Sequence, residues 1–189
     1  MKIITGKFRN RVIPTHKKSD YRPTTAKFRE ALFSILSSGG FVDSKPLEGA
    51  IVLDLFAGTG SLSFEALSRG AAHATLVDIS EENLGLAKQF AEKLDCLDNI
   101  KLIIGDATCA SRLQHKYSLV FMDPPYHKDY AAKTLINLDR NDLLERNAII
   151  AIEMSKYDKF TVSGPYEMLR EKIYGNSRLL ILKYIGSVI

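Results

Sequence analysis

The sequence predicts an α/β fold: a mostly parallel sheet with helices on both faces, an antiparallel last strand, and a small N-terminal hairpin plus helix appended to it. Three observations lead there. From Ala50 onward, short apolar runs alternate with helix-length amphipathic segments, the pattern of a parallel sheet covered on both sides. The first of these runs passes into a helix through a turn holding Gly58 and Gly60. Near the end, two strand-like runs meet at Gly175-Asn176 with no helix between them, which is a hairpin signal and sets the last strand antiparallel.

Taken in order, Lys2 to Ile13 has short β-like runs around Gly6 and suits a hairpin, and Pro14 to Pro23 is a polar loop. Thr24 or Thr25 can cap a helix reaching about Ser38. Phe28, Leu32, Ile35 and Leu36 fall on one of its faces, Lys27 and Arg29 on the other, and Gly39-Gly40 ends it. Asp43 to Gly49 is a linker. Strands are predicted at Ile51–Leu55, Ala74–Asp78, Ile100–Ile104, Leu119–Met122 and Ala148–Glu153. Helices are predicted at Ser61–Arg69, Glu81–Leu94, a short one after Asp106, and Ala131–Leu138. Glu167–Tyr174 and Arg178–Tyr184 form the closing hairpin.

A chain of 189 residues can bury a full core without disulfides or a metal. Its two cysteines, Cys96 and Cys109, lack metal-ligand spacing and read as reduced thiols, so no metal is expected. No stretch approaches a membrane span and the N-terminus lacks a signal-peptide core, so a cytoplasmic protein is expected, with no membrane partner. Charge is unevenly spread. Residues 1–30 carry nine Lys/Arg and two acids, a net +7, whereas the rest is −3. A basic segment on a slightly acidic body points to a polyanion such as nucleic acid.

The chemistry gathers at strand ends. Asp54-Leu55-Phe56-Ala57-Gly58-Thr59-Gly60 closes the first strand, and its glycines permit close backbone approach. The dinucleotide fingerprint needs a third glycine at 63, where this chain has Ser63. A carboxylate ahead of the glycines repels a pyrophosphate but attracts an ammonium or sulfonium group, both of which S-adenosylmethionine (AdoMet) carries. Asp78 ends the next strand, placed to accept ribose hydroxyls or to cap the following helix, for which Ser80 is at least as suited. Gly105-Asp106-Ala107 ends the third, where Asp106 can accept an adenine amino hydrogen, cap a helix, or do both. Asp123-Pro124-Pro125-Tyr126 ends the fourth. Neither proline has an N–H to donate, and each holds its predecessor extended, so the Asp side chain and nearby carbonyls stand as acceptors beside a flat ring. Such a turn suits a planar, amino-bearing ring such as a nucleobase. All four motifs fall at the carboxyl ends of successive strands, on the edge where open α/β sheets bind ligands.

These residues resemble an AdoMet-dependent methyltransferase of the Rossmann-like class, and Asp123-Pro124-Pro125-Tyr126 resembles the (Asp/Asn)-Pro-Pro-(Tyr/Phe) signature of nitrogen methylases. Ile3-Ile4-Thr5-Gly6-Lys7-Phe8-Arg9-Asn10-Arg11, Arg22-Pro23-Thr24-Thr25, Arg29-Glu30-Ala31-Leu32-Phe33 and Glu65-Ala66-Leu67-Ser68-Arg69-Gly70-Ala71 narrow the match. Together with Tyr174-Gly175 they are similar to the bacterial small-subunit rRNA guanine-N2 methyltransferase family over nearly the whole chain. This chain has Thr5-Gly6 and Asn10-Arg11 where that family usually reads Gly-Gly and Gly-Arg, and Asp78 where Glu is common. The resemblance implies a basic RNA-binding extension over residues 1–40 and an AdoMet-dependent catalytic domain over 41–189. It implies cofactor contacts at Asp54, Phe56, Gly58, Gly60, Asp78, Asp106 and Ala107, and catalysis by Asp123, Pro124 and Tyr126. RNA contacts are implied at Lys7, Arg9, Arg11, Arg22, Thr24 and Arg29. The implied substrate is ribosomal RNA or a small-subunit assembly particle, handled by a monomer.

The chemistry is consistent with that reading. An exocyclic amine is a poor nucleophile because its lone pair is delocalised into the ring. Acceptors at Asp123 and the Pro124 carbonyl would draw its hydrogens and favour a pyramidal nitrogen, and Tyr126 would stack on the base. A carboxylate can also take N1–H and N2–H of guanine together, whereas adenine lacks an N1 hydrogen. A paired base cannot enter such a pocket, so the target must be unpaired or extruded. The rival readings are an adenine-N6 nucleic-acid methyltransferase, a dehydrogenase, and a non-catalytic RNA-binding protein with a vestigial cofactor pocket.

Overall fold

A computed structural model of the chain describes residues 1–15, 26–38, 45–109, 113, 115–125 and 129–186. The elements are α1 (Ala26–Ser38), β1 (Ile51–Leu55), α2 (Ser61–Ser68), β2 (His73–Asp78), α3 (Glu81–Lys93) and β3 (Ile100–Ile104). They continue with β4 (Tyr117–Met122), α4 (Tyr130–Arg140), β5 (Leu144–Ser155), β6 (Tyr166–Tyr174) and β7 (Ser177–Tyr184). The strands form one sheet in the order β3-β2-β1-β4-β5-β7-β6. The first five are parallel, β7 runs antiparallel to β5, and β6 closes the edge antiparallel to β7. The predicted parallel sheet with an antiparallel last strand is therefore observed.

The pleat sorts side chains into two core layers. Val52, Leu76, Phe121, Ala151 and Ile181 face α1, α2 and α3, whereas Leu53, Leu55, Val120, Ile150, Ile152 and Leu182 face α4. Because both faces are covered, the inner strands read as nearly continuous apolar runs. β5 is longer than its apolar stretch. Leu144 pairs with Tyr117, the register then shifts, and pairing resumes at Ile149 with Leu119. The polar Glu145-Arg146-Asn147 segment, with Asn147 at φ +68°, hides that extension from a reading of hydrophobicity. The short helix predicted after Asp106 is not seen among the described residues. Residues 110–112 and 114, on which much of it would fall, lie outside the described residues; Thr108 donates from its N–H and its hydroxyl to Asp106 in a local turn.

The predicted N-terminal hairpin is reduced to a bridge between Lys2 and Val12, with Ile3 N–H to the Arg11 carbonyl (3.0 Å). It does not stand apart from the body. Ile3, Ile13 and the apolar face of α1 enter the same core layer as Val52 and Phe64. The tip of the hairpin grips α2. Glu65, wholly buried, accepts the N–H groups of Ile4 (2.7 Å) and Thr5 (3.1 Å), and Arg69 pairs with the same carboxylate at 2.7 Å. Ser68 accepts the Phe8 N–H through its hydroxyl (2.9 Å) and the Lys7 N–H through its carbonyl (2.9 Å). Gly6 sits at φ +88°, and a Cβ there would overlap the Ser68 carbonyl, so only glycine permits this approach. Asn10 sits at φ +67°, a backbone that glycine adopts freely and asparagine tolerates better than most residues.

One expectation is corrected by this packing. Arg29 was placed on the outer face of α1 as a phosphate contact, yet it is 1% exposed and donates to the Lys2 carbonyl at 2.9 Å. Helix α1 is covered on two sides, by the sheet and by the hairpin, so the residue beside its apolar stripe is enclosed too. Burial lowers the Arg29 pKa, and the nearby Glu65 charge counters that shift. Glu65→Ala would leave two N–H groups and Arg69 without their acceptor. It should lower stability by about 3 kcal/mol or more, read as a fall in the urea midpoint. Glu65→Gln, which keeps one acceptor oxygen, should cost less.

Candidate active site

The strand order reverses between β1 and β4: β2 and β3 lie to one side, and β5 with the hairpin to the other. Crevices at such switch points, outside the carboxyl ends of the strands, are where open sheets take ligands. A cleft of about 420 Å³ opens there, bordered by Phe56, Asp78, Asp106, Ala107, Asp123 and Pro125, and by Ile79, Ser80, Asn83 and Tyr130. Three of these residues carry carboxylates, and among the described residues none that borders the cleft is basic.

The turn after β1 is set by backbone geometry. Gly58 and Gly60 have φ of +54° and +79°, and a Cβ on Gly60 would come within 2.6 Å of Leu76 Cδ2. Phe56 also lies at positive φ, +63°, an unfavourable conformation for an aromatic residue. Bonds on both sides hold it: Ala57 N–H to the Val77 carbonyl (3.1 Å), and Gly58 N–H to Asp78 Oδ2 (2.7 Å). The result aims the Phe56 ring into the cleft, where it stacks on Tyr130 at 5.9 Å between centroids.

Asp78 therefore ties the end of β2 to the glycine turn. Its other oxygen accepts the Ser80 N–H at 2.8 Å, and Ser80 rather than Asp78 caps α3, accepting the Asn83 N–H. A carboxylate has about four lone-pair sites, so Asp78 can still accept hydroxyls from the cleft. Asp106 is exposed on the opposite wall beside the buried Ala107. Asp123 is half-buried, continues the β1–β4 pairing through its N–H to the Leu55 carbonyl (3.5 Å), and borders the cleft. Pro124 is buried beneath it and Pro125 is exposed at the rim. Tyr126 lies outside the described residues, as do Arg22 and Thr24.

Asp54, Gly58 and Gly60 do not border the cleft. The pleat turns Asp54 away from Leu53 and Leu55 toward α2, where it is 2% exposed. Its Oδ2 accepts both the hydroxyl (2.7 Å) and the N–H (3.1 Å) of Ser63. The residue that breaks the dinucleotide fingerprint thus anchors this carboxylate, which a glycine could not do. Burial is the main cause that raises the Asp54 pKa, to about 7; the two Ser63 bonds lower it, and the charges of Asp123 and Asp78 raise it further. Asp54 thus lies beneath the glycine turn and not on the cleft wall.

Comparison with known proteins identifies the family and the fold. A model for the family described as conserved hypothetical protein 95 matches residues 1–183. The chain belongs to that family. It is 39% identical to an uncharacterized methylase of Rickettsia prowazekii, over 97% of this chain and 98% of the relative. It is 32% identical to ribosomal RNA small subunit methyltransferase D of Escherichia coli, over 93% and 85% respectively. Among solved structures, a putative methyltransferase from Escherichia coli superposes with a TM-score of 0.85 at 29% identity, covering 99% of each chain. The fold is the Rossmann-like fold of methyltransferases.

Of the cleft residues, Ile79, Asn83 and Tyr130 were not singled out from the sequence, and Ser80 and Pro125 were named only as a helix cap and as part of the Asp-Pro-Pro-Tyr turn. Ile79 could have been: an apolar residue directly after a strand-ending acid, it is 78% exposed. Tyr130 carried no signal, because only the return of α4 to the β1 side brings its ring onto Phe56.

The Asp54 pKa makes stability depend on pH with a definite sign. The folded value lies above the unfolded one, so the native state keeps a proton that the unfolded chain has already lost. The corresponding stabilisation is complete below about pH 4 and disappears as pH rises through about 7. Asp54→Asn can still accept from Ser63 but cannot ionise. Relative to wild type, its urea midpoint should therefore rise between pH 5 and pH 8. The same offset at both pH values would reject this ionisation.

Proposed function

We propose that this chain transfers a methyl group from AdoMet to the exocyclic N2 of a guanine in small-subunit ribosomal RNA. The observation that carries the reading is the Asp123-Pro124-Pro125 turn on the wall of the same cleft as Phe56, Asp78 and Asp106. An amine-directed acceptor turn and a nucleoside-sized site thus share one crevice. The relative named ribosomal RNA small subunit methyltransferase D supports the choice of RNA.

The cleft fits the cofactor by charge and by shape. The three carboxylates that border it favour a cationic ligand over a pyrophosphate. Asp78 holds the ribose hydroxyls, Asp106 and Ala107 meet the adenine edge, and Phe56 with Tyr130 forms an aromatic wall. When bound, AdoMet supplies an electrophilic methyl group on a sulfonium. Asp123 accepts one N2 hydrogen and the Pro124 carbonyl the other, which localises the nitrogen lone pair, while Tyr126 stacks on the base. Once the nitrogen is methylated and cationic, Asp123 is placed to receive its proton. Lys7, Arg9 and Arg11 are exposed on the N-terminal turn. They bind phosphates, which positions RNA without reading its sequence. In a bacterial cell this places the protein in the cytoplasm with its substrate.

The deciding experiment is tritiated methyl transfer from AdoMet into small-subunit particles lacking the modification, followed by nucleoside analysis. The expected product is N2-methylguanosine; N6-methyladenosine, or no incorporation, would overturn the reading. Asp123→Ala should lower turnover by about 100-fold or more with AdoMet affinity nearly intact. Reversing the charges of Arg9 and Arg11 together should weaken RNA binding and flatten its salt dependence. Unchanged RNA affinity would remove the N-terminal turn from the interface.

A further inference from the structure

Glu153 is a buried acid near the end of β5 that the cofactor chemistry does not use. It is 6% exposed, and the Ser177 hydroxyl donates to its Oε1 at 2.7 Å, which fixes the carboxylate's rotation. Its position is set by register. Phe121 pairs with Ala151 and Met122 with Ile152, so the next step along both strands brings Asp123 beside Glu153. The pleat then assigns the face. Phe121 and Ala151 belong to one core layer and Met122 and Ile152 to the other, so residues 123 and 153 return together to the layer of α1. Neighbouring strands lie about 5 Å apart, and two carboxylates therefore stand side by side at the end of the sheet. Glu153 does not border the cofactor cleft; it lies one strand beyond Asp123, on the side away from β1 and the glycine turn.

The N-terminal end of α1 reaches the same edge. Phe28 packs edge-on against Tyr174 at 6.0 Å, and Tyr174 pairs with Ser177, the residue that holds Glu153. The first turn of α1 thus lies at the edge of the sheet that holds Glu153.

We propose that Glu153 reads the target base, accepting the N1–H of guanine while Asp123 and the Pro124 carbonyl are engaged on N2. This rests on the guanine-N2 reading above and deepens it. Guanine presents three hydrogens along this edge, one on N1 and two on N2. With the two N2 hydrogens taken by Asp123 and the Pro124 carbonyl, the N1 hydrogen is open to a second carboxylate, and Glu153 one strand over is placed to accept it in place of a bidentate contact from Asp123 alone. Adenine and other purines without an N1 hydrogen would set a lone pair against that carboxylate. Rejection then comes from an unpaired, repelled contact, a stronger discriminator than a missing attraction.

The test uses small-subunit particles whose methylated position, mapped first with wild type, carries either guanosine or 2-aminopurine riboside. The latter keeps the 2-amino group but has a lone pair at N1. Wild type should prefer guanosine by about 10-fold or more in kcat/KM. Glu153→Gln, whose amide can donate to a bare N1, should lose about 10- to 100-fold on guanosine and bring the preference close to parity, with AdoMet affinity unchanged. Ser177→Ala keeps the carboxylate but frees its rotation, and should retain clearly more of the preference than Glu153→Gln does. A wild-type preference below about threefold would overturn the assignment without any variant; so would a Glu153→Gln enzyme that retains the wild-type ratio, or a Ser177→Ala enzyme that loses it equally. Failure of wild type to methylate guanosine at all defeats the guanine-N2 reading itself, which separates the two failures.

Discussion

Parallel pairing of β1 with β2 on one side and β4 on the other is the constraint on which the site depends. It brings strand-ending acids from separate stretches of chain to one edge, where their charges repel and burial penalises them. Asp54 shows the consequence most directly: enclosed beneath the turn, with Asp78 and Asp123 nearby, it holds its proton up to about pH 7. Two devices keep the arrangement in place. Ser63 fixes Asp54 with two hydrogen bonds, and the Gly58 N–H engages Asp78 at 2.7 Å. The carboxylates that border the cleft, Asp78, Asp106 and Asp123, thereby favour a cationic ligand.

Helix α2 connects this edge to the N-terminal segment. Its first turn follows the glycine turn; its last turn carries Ser68, which the hairpin grips, and Glu65 lies between. Its eight residues span about 12 Å, so the exposed Lys7, Arg9 and Arg11 lie about that far along the helix from the glycine turn. Such spacing suits contact with backbone on either side of a target nucleotide and not with the reacting base. Arg29, enclosed between helix and hairpin, belongs to the mounting of this segment and not to its charged surface. The sequence charge of residues 1–30 therefore includes one cation, Arg29, that is not at the surface.

Much of this was legible beforehand because it is local. Alternating apolar runs and amphipathic segments located the strands and most helix limits, and Gly58, Gly60 and Asp78 announced a ligand edge by their place at strand ends. Exceptions have specific causes. The polar bulge at Glu145-Arg146-Asn147 concealed the first part of β5, and Arg29 looked solvent-facing because α1 was read with one covered side.

By itself, then, the chain determined its element order, its glycine turn, its Asp-Pro-Pro turn and its basic N-terminal bias, since periodicity and turn chemistry act over a few residues. Only tertiary structure decided which acids meet the cleft and which lie beneath it. It alone placed Tyr130 on Phe56, clamped the hairpin through Glu65, and stood Glu153 beside Asp123. Those outcomes depend on strand register and pleat parity, and on which second layer covers a helix, none of which is encoded within any single segment.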